Sequence, residues 1–425
     1  MACNPRLMPQ AGETLEQVFR EEYGRIIATL IRLSGSFDLA EEALQEAFAS
    51  AVSNWQKDGT PANPGAWLTT VAHRKLLDAV RREKTRSDKQ PELQYETERL
   101  QSYVELTEFE EAVEYTDDRL RLIFTCCHPS LSREAQLGLT LRTLGGLSTS
   151  EIARAFLLPE PTLAQRLVRA KNKICIARIP YQVPAPELLS QRLPSVQGVI
   201  YLIFNEGYTA TSGESLIRRD LCAEAIRLGR VLCQLLPDEP ENPGLLALML
   251  LQDSRRDARI NAWGELVTLE EQDRALWDRK QIEEGLRVVE TALRLRRVGP
   301  YQLQAAIAAV HAQTKAAVET DWPQIVALYI ELQRINPSPV VALNHAAAVA
   351  MSEGFEQGLR LVEAVGESGK LDHYYFFHAA RADLLRRLNR FDEAELAYSR
   401  ALGLTANHVE QNYVRRRLSE LRRDL

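Results

Sequence analysis

Between residues 147 and 173 the chain spells two short helices and the turn that joins them. Gly145-Gly146 stops the preceding helix, because glycine accepts the left-handed backbone that closes a helix end. Ser148-x-x-Glu151 has the form of a capping box, and Leu147 with Ile152 stands at the spacing of a hydrophobic staple. The first helix is expected over 149–156, followed by the turn Leu157-Leu158-Pro159-Glu160. Pro161 suits the first position of the second helix. In that helix Leu163, Leu167, Ala170 and Ile174 form one apolar stripe, and Thr162, Gln165, Arg166, Arg169, Lys171 and Lys173 cover the rest. Two such helices make a helix-turn-helix, whose second helix enters the major groove of DNA. Thr162, Gln165 and Arg166 then face base edges, where Arg and Gln can bond bidentately. Arg169, Lys171 and Lys173 suit phosphates.

Charge supports this placement. The chain of 425 residues carries a net charge of −6, but the charge is segregated. Residues 119–178 hold ten basic and three acidic residues, a net of +7, whereas residues 87–118 hold two basic and eleven acidic, a net of −9. A basic island in an acidic protein is the footprint of a nucleic-acid-binding module.

The remaining sequence reads as helix, with no alternating β-branched run long enough to build a sheet. Asp38-x-x-Glu41 suggests a capping box opening a helix with the stripe Ala40, Ala43, Leu44, Ala47, Phe48, Ala51, Val52 and Trp55. Glu41, Glu42, Gln45 and Glu46 form its other face. A turn-rich loop at 57–64 precedes a second helix, through Trp67, Leu68, Val71 and Ala72, that ends in the basic run Arg81, Arg82, Lys84 and Arg86. The acidic stretch 87–118 shows no clean period and reads as a linker. Beyond Pro180 lies a long helical region with an internal repeat of about 34 residues. In it Asp321-Trp322 aligns with Arg390-Phe391, and Gly354-Phe355 marks the unit between. The segment 376–402 has the small-residue and aromatic spacing of a tetratricopeptide helix pair, and the repeat is clearest over 300–415.

Other chemistry finds little support. Cys126-Cys127-His128, with Cys175 as a third thiolate, invites a metal, but adjacent cysteines chelate one ion poorly and the chain has no CxxC pair, so buried thiols are expected and no metal. Phosphate-loop, zinc-protease and nucleophile-elbow motifs are missing, which argues against an enzyme and against a cofactor. In Asn205-Glu206-Gly207-Tyr208 and the residues to Glu214, either a capped turn or polar residues lining a ligand pocket (Asn205, Glu206, Tyr208, Ser212) is possible. Six scattered cysteines, an N-terminus without an apolar leader and no long apolar run point to a cytoplasmic protein without membrane contact.

Taken together, 38–55, 64–82 and 147–174 resemble an extracytoplasmic-function sigma factor of the sigma-70 family. The segments 120–146 and 205–214 narrow this to the subgroup with a long tetratricopeptide-like C-terminal extension. The resemblance implies an all-α chain of two small helical sigma domains joined by a linker and followed by a helical repeat domain. Its parts are 10–86 (region 2), 87–118 (acidic linker), 119–178 (region 4) and 179–425 (extension). It implies RNA polymerase core enzyme and promoter DNA as partners, and a protein or peptide partner for the repeats. By position, Asp38, Glu41, Glu42, Gln45 and Glu46 fall in the polymerase-binding helix, with Phe48 as core. Trp67, His73, Arg74, Arg81 and Arg82 fall where the family meets the −10 element, although Trp67 suits a core anchor equally well. Thr162, Gln165, Arg166, Arg169, Lys171 and Lys173 fall where it reads the −35 element. The family's Ala-Arg-Asn word is here Ala72-His73-Arg74, which leaves the −10 base preference open. A one-component helix-turn-helix regulator and a repeat-built scaffold are the competing readings.

Overall fold

The computed structural model describes residues 11–87, 115–156, 158–210, 212–213 and 215–424. These are helical almost throughout and divide into two compact units, 1–199 and 200–425. No helix among the described residues is long and apolar enough to cross a membrane. Most of the acidic linker lies outside the described residues, but its last residues do not: Tyr115–Cys126 is a helix, and Asp118 is buried in it.

In the first unit, α1 (Ala11–Ser34), α2 (Phe37–Asp58) and α3 (Pro64–Ser87) pack on one another around Ile26, Ile27, Leu30, Leu44, Leu68 and Leu76. The cap of α2 is Ser36, whose hydroxyl accepts from Leu39 N–H at 3.3 Å, not the expected Asp38. A serine just before the first helical residue meets the free amides first. The expected stripe holds at Ala40, Ala43, Leu44, Ala47, Ala51 and Trp55, while Phe48 is half-buried and Val52 exposed. Next come α4 (Tyr115–Cys126), α5 (Arg133–Thr143, capped by Ser132), α6 (Thr149–Ala155) and α7 (Glu160–Ile176). Gly146 has φ +69° and lets Leu147 N–H reach back to Leu141 O, closing α5 as expected. Then α8 (Pro186–Tyr208) begins, so Asn205, Glu206 and Tyr208 lie within a helix and not in a turn.

In the second unit, α9 (Arg219–Leu235), α11 (Arg279–Arg294) and α12 (Pro300–Gln313) all pack on α10 (Glu241–Asp253), which is buried from Leu245 to Leu251. From α12 onward each helix packs on the next: α13 (Trp322–Ile335), α14 (Pro339–Glu353), α15 (Phe355–Gly366), α16 (Tyr375–Arg387), α17 (Phe391–Leu402) and α18 (His408–Asp424). Three repeat marks read from the sequence, Trp322, Phe355 and Phe391, each open a helix. Tyr398 is fully buried in the core that joins α14 to α18. One element was not expected: β1 (Ser212–Gly213) and β2 (Ala406–Asn407) pair in parallel. Fully buried Asn407 fastens that join, its side-chain amide donating to Ala210 O at 3.0 Å and Ser215 O at 3.1 Å.

Candidate nucleic-acid interface

The helix-turn-helix is assembled by its caps. Ser148 N–H donates to Glu151 Oε2 at 2.7 Å, and Glu151 N–H donates to Ser148 Oγ at 3.2 Å, so both ends of the box are closed. Pro161 occupies the first turn of α7, and Leu163, Leu167, Ala170 and Ile174 are buried. With 3.6 residues per turn, Thr162, Gln165, Arg166, Arg169 and Lys173 share an arc of about 100°. Gln165, Arg169 and Lys173 are exposed, and Thr162 and Arg166 half-buried. This is the face a duplex can meet.

Lys171 lies about 180° round the helix from Thr162, and the structure gives it a different neighbourhood. Its ammonium is 2.9 Å from Asp38 Oδ1 and 2.9 Å from Glu41 Oε1, on α2. The Lys171 and Glu41 side chains are only 14% and 13% exposed. Arg142, in the last turn of α5, adds a contact to Glu41 Oε2 at 3.4 Å. Below them Tyr23 is buried, and that burial pushes its phenol up to about 12. The seam continues at Asp118, 1% exposed, which accepts from Arg32 Nε at 3.0 Å and Arg121 Nη1 at 2.7 Å. Tyr181 Oη closes the far end by donating to Ala28 O at 2.8 Å.

The other residues singled out on α2 and α3 form a second cluster. Glu46 lies 3.2 Å from Lys75 and 3.5 Å from Arg82, and Glu42 lies 3.9 Å from Arg82. The Lys75 hydrogen bond holds the Glu46 carboxyl below the usual range. Gln45, Arg74 and Arg81 are exposed. His73 is half-buried, and burial lowers its imidazole pKa, which favours the uncharged ring. Trp67 is half-buried and packs edge-on against Trp55, ring centroids 5.6 Å apart. Arg142, Lys75, Arg32 and Tyr181 went unselected in the sequence; each is an ordinary surface-type residue until its partner in space is known. Cys126 and Cys127 are buried thiols beside the hydroxyls of Thr143 (3.2 Å) and Thr140 (3.7 Å), and burial pushes both thiols up.

Residues 18–86, which hold α2 and α3, match the model of Sigma-70 region 2, and residues 121–174, which hold the helix-turn-helix, match that of Sigma-70 region 4. The chain thus carries both sigma-70 regions, in the order region 2 then region 4. The chain further matches, over residues 192–293, a family of unknown function, DUF6596. Along 93% of its length it is 45% identical to "Uncharacterized protein R00370" of Rhizobium meliloti (strain 1021), of which the match covers 93%. The two belong to one family across both units, so the C-terminal helices are part of what is shared.

Proposed function

We propose that this chain is a sigma factor that directs bacterial RNA polymerase core enzyme to specific promoters in the cytoplasm, with its C-terminal unit regulating it in cis. The observation that carries the reading is the polar arc of half-buried Thr162 and Arg166 with exposed Gln165, Arg169 and Lys173 on a capped helix-turn-helix, in one chain with the region 2 helices. Arg166 and Gln165 suit base edges of the −35 element, and Arg169 and Lys173 its phosphates. Arg74, Arg81, Arg82, His73 and Trp67 would meet the −10 element, and Asp38, Glu41, Glu42, Gln45 and Glu46 the polymerase. Any chemistry belongs to the polymerase, so the chain needs no catalytic group of its own. The successive helix pairs from α12 to α18 support a tetratricopeptide-like module that receives a protein or peptide partner.

On this reading the seam described above is a closed state. Glu41 cannot meet the polymerase while Lys171 and Arg142 occupy it, whereas Asp38, bound by Lys171, keeps 83% of its side chain exposed. Run-off transcription with purified core polymerase tests the main reading: specific starts are expected only when core and this chain are both present. A chain that binds duplex DNA tightly alone, yet never directs initiation, would be a one-component regulator instead. Arg166→Ala is expected to lower transcription from a −35-dependent promoter about tenfold, the cost of one good base contact, with core binding intact; unchanged output sinks the assigned role. For cis regulation, a chain ending at Val199 should differ in output from the full chain at equal core affinity.

A further inference from the structure

The second unit gathers three arginines round Trp277 and Tyr208 with no carboxylate in ion-pair reach among the described residues. Arg255 donates from Nη2 to Tyr208 Oη at 3.0 Å, and its guanidinium lies 5.8 Å from the Trp277 ring centre. The Arg274 guanidinium lies 4.9 Å from the same ring, and that of Arg259 3.7 Å from the Tyr208 ring. Nearby arginines are paired: Arg256 with Asp253 at 2.9 Å and Arg219 with Asp257 at 2.5 Å. A cation taken from water is costly unless it is compensated, so three together without an anion are unusual.

The same cluster holds polar atoms without a hydrogen-bond partner: Arg255 Nε, Arg274 Nε, Trp277 Nε1 and His311 Nδ1. Arg274, Trp277 and His311 are 4%, 2% and 8% exposed. Burial, then the charges of Arg255 and Arg274, push the His311 imidazole down to about 3. It is therefore neutral at pH 7 and can donate from one nitrogen. Two of the arginines have a structural task. Arg274 caps the end of α12, donating to His311 O at 2.7 Å and Thr314 O at 3.2 Å, and Arg259 donates to Thr209 Oγ1 at 3.0 Å and to Tyr208 O. Arg255 bonds a side chain, the Tyr208 hydroxyl, and it is half-buried where Arg274, Trp277 and His311 are buried.

We propose that Arg255, Arg274, Trp277 and His311 form an oxyanion site for a small phosphate-bearing ligand. The Nε–H groups of Arg255 and Arg274 and the indole N–H of Trp277 are left to meet phosphate oxygens, and a dianion supplies negative charge in direct contact with the guanidiniums. The inference concerns binding alone and stands apart from the assignment as a sigma factor.

The test is calorimetric titration of the full chain with inorganic phosphate at constant ionic strength, chloride being the balancing ion. Wild type and Arg230→Gln, an exposed arginine paired with Glu284, should show the same saturable binding. Arg255→Gln should bind at least tenfold more weakly, and in phosphate-free buffer should melt no lower than wild type, because it removes an uncompensated charge. Absence of saturable binding in wild type overturns the proposal, as does equal affinity in Arg255→Gln. Malonate binding as tightly as phosphate overturns the choice of phosphate. Should Arg255→Gln not fold, Arg255→Lys keeps the charge without the fork; weakened binding supports the site, and unchanged affinity refutes it.

Discussion

Two clusters, one in each unit, treat buried charge in opposite ways. In the first, the cations at the seam meet carboxylates: Arg32 and Arg121 share Asp118, and Lys171 and Arg142 share Glu41. In the second, Arg255, Arg259 and Arg274 are packed against rings and backbone carbonyls. The difference separates two kinds of site. A seam that neutralises itself is complete, and a partner must displace its internal ions to bind. A cluster left positive is incomplete, and a ligand of opposite charge completes it. The seam therefore invites competition, the arginine cluster addition.

The comparison breaks most visibly at Asp118. Asp118→Asn keeps the shape and removes the carboxylate that Arg32 and Arg121 share. Breaking one partner from a buried ion pair costs several kcal/mol, and with the arginines partly hydrated a loss of about 3 kcal/mol is expected. Denaturant unfolding of the full chain, followed in its less stable transition, measures it. A loss below about 1 kcal/mol would mean that the seam is held by packing and not by charge.

A smaller effect probes the second unit. His311 is buried neutral, with its folded pKa at about 3 against an ordinary 6.5. Below pH 6.5 the unfolded chain binds a proton that the folded chain refuses. Stability is thus intact above that pH and is lost as pH falls toward 3, by up to about 1.4 kcal/mol per pH unit. His311→Gln should flatten this part of the acid limb between pH 6 and 4. An identical limb in mutant and wild type would show that His311 is not the group responsible.

How much of this could be read beforehand depends on how far the deciding partner lies along the chain. The Ser148–Glu151 box and the stripe through Leu163 and Ile174 were legible, because cap and period are local. The cap at Ser36 was missed in favour of Asp38 since both fit local rules and only the backbone decides. Lys171 shares the charge of the DNA-facing residues, whereas helical geometry alone already sets it opposite Thr162. The β1–β2 pair and the Asn407 contact depend on chain almost 200 positions away (197 for Asn407 to Ala210), beyond any local pattern. The arginine cluster draws on the irregular stretch between α10 and α11, where no period exists to read.

The smallest effect is the most informative about function. Arg142 belongs to neither set of assigned contact residues, yet it reaches Glu41 at 3.4 Å with its side chain 17% exposed. Arg142→Met keeps the length and removes the charge, so it loosens the closed seam and leaves the DNA-facing side chains of α7 in place, although it also gives up the bond to Leu147 O at 3.1 Å. A partly exposed ion pair contributes about 1 kcal/mol at most, and releasing it should speed association with core polymerase up to about fivefold. Salt should act in the same direction on wild type and less on the mutant, because added ions screen the contact that Arg142→Met has already lost. Equal association rates at low salt, with the mutant folded, would show that opening the seam does not limit assembly. The closed state would then be an arrangement that core polymerase bypasses, and the self-neutralised seam would lose its claim to be a gate.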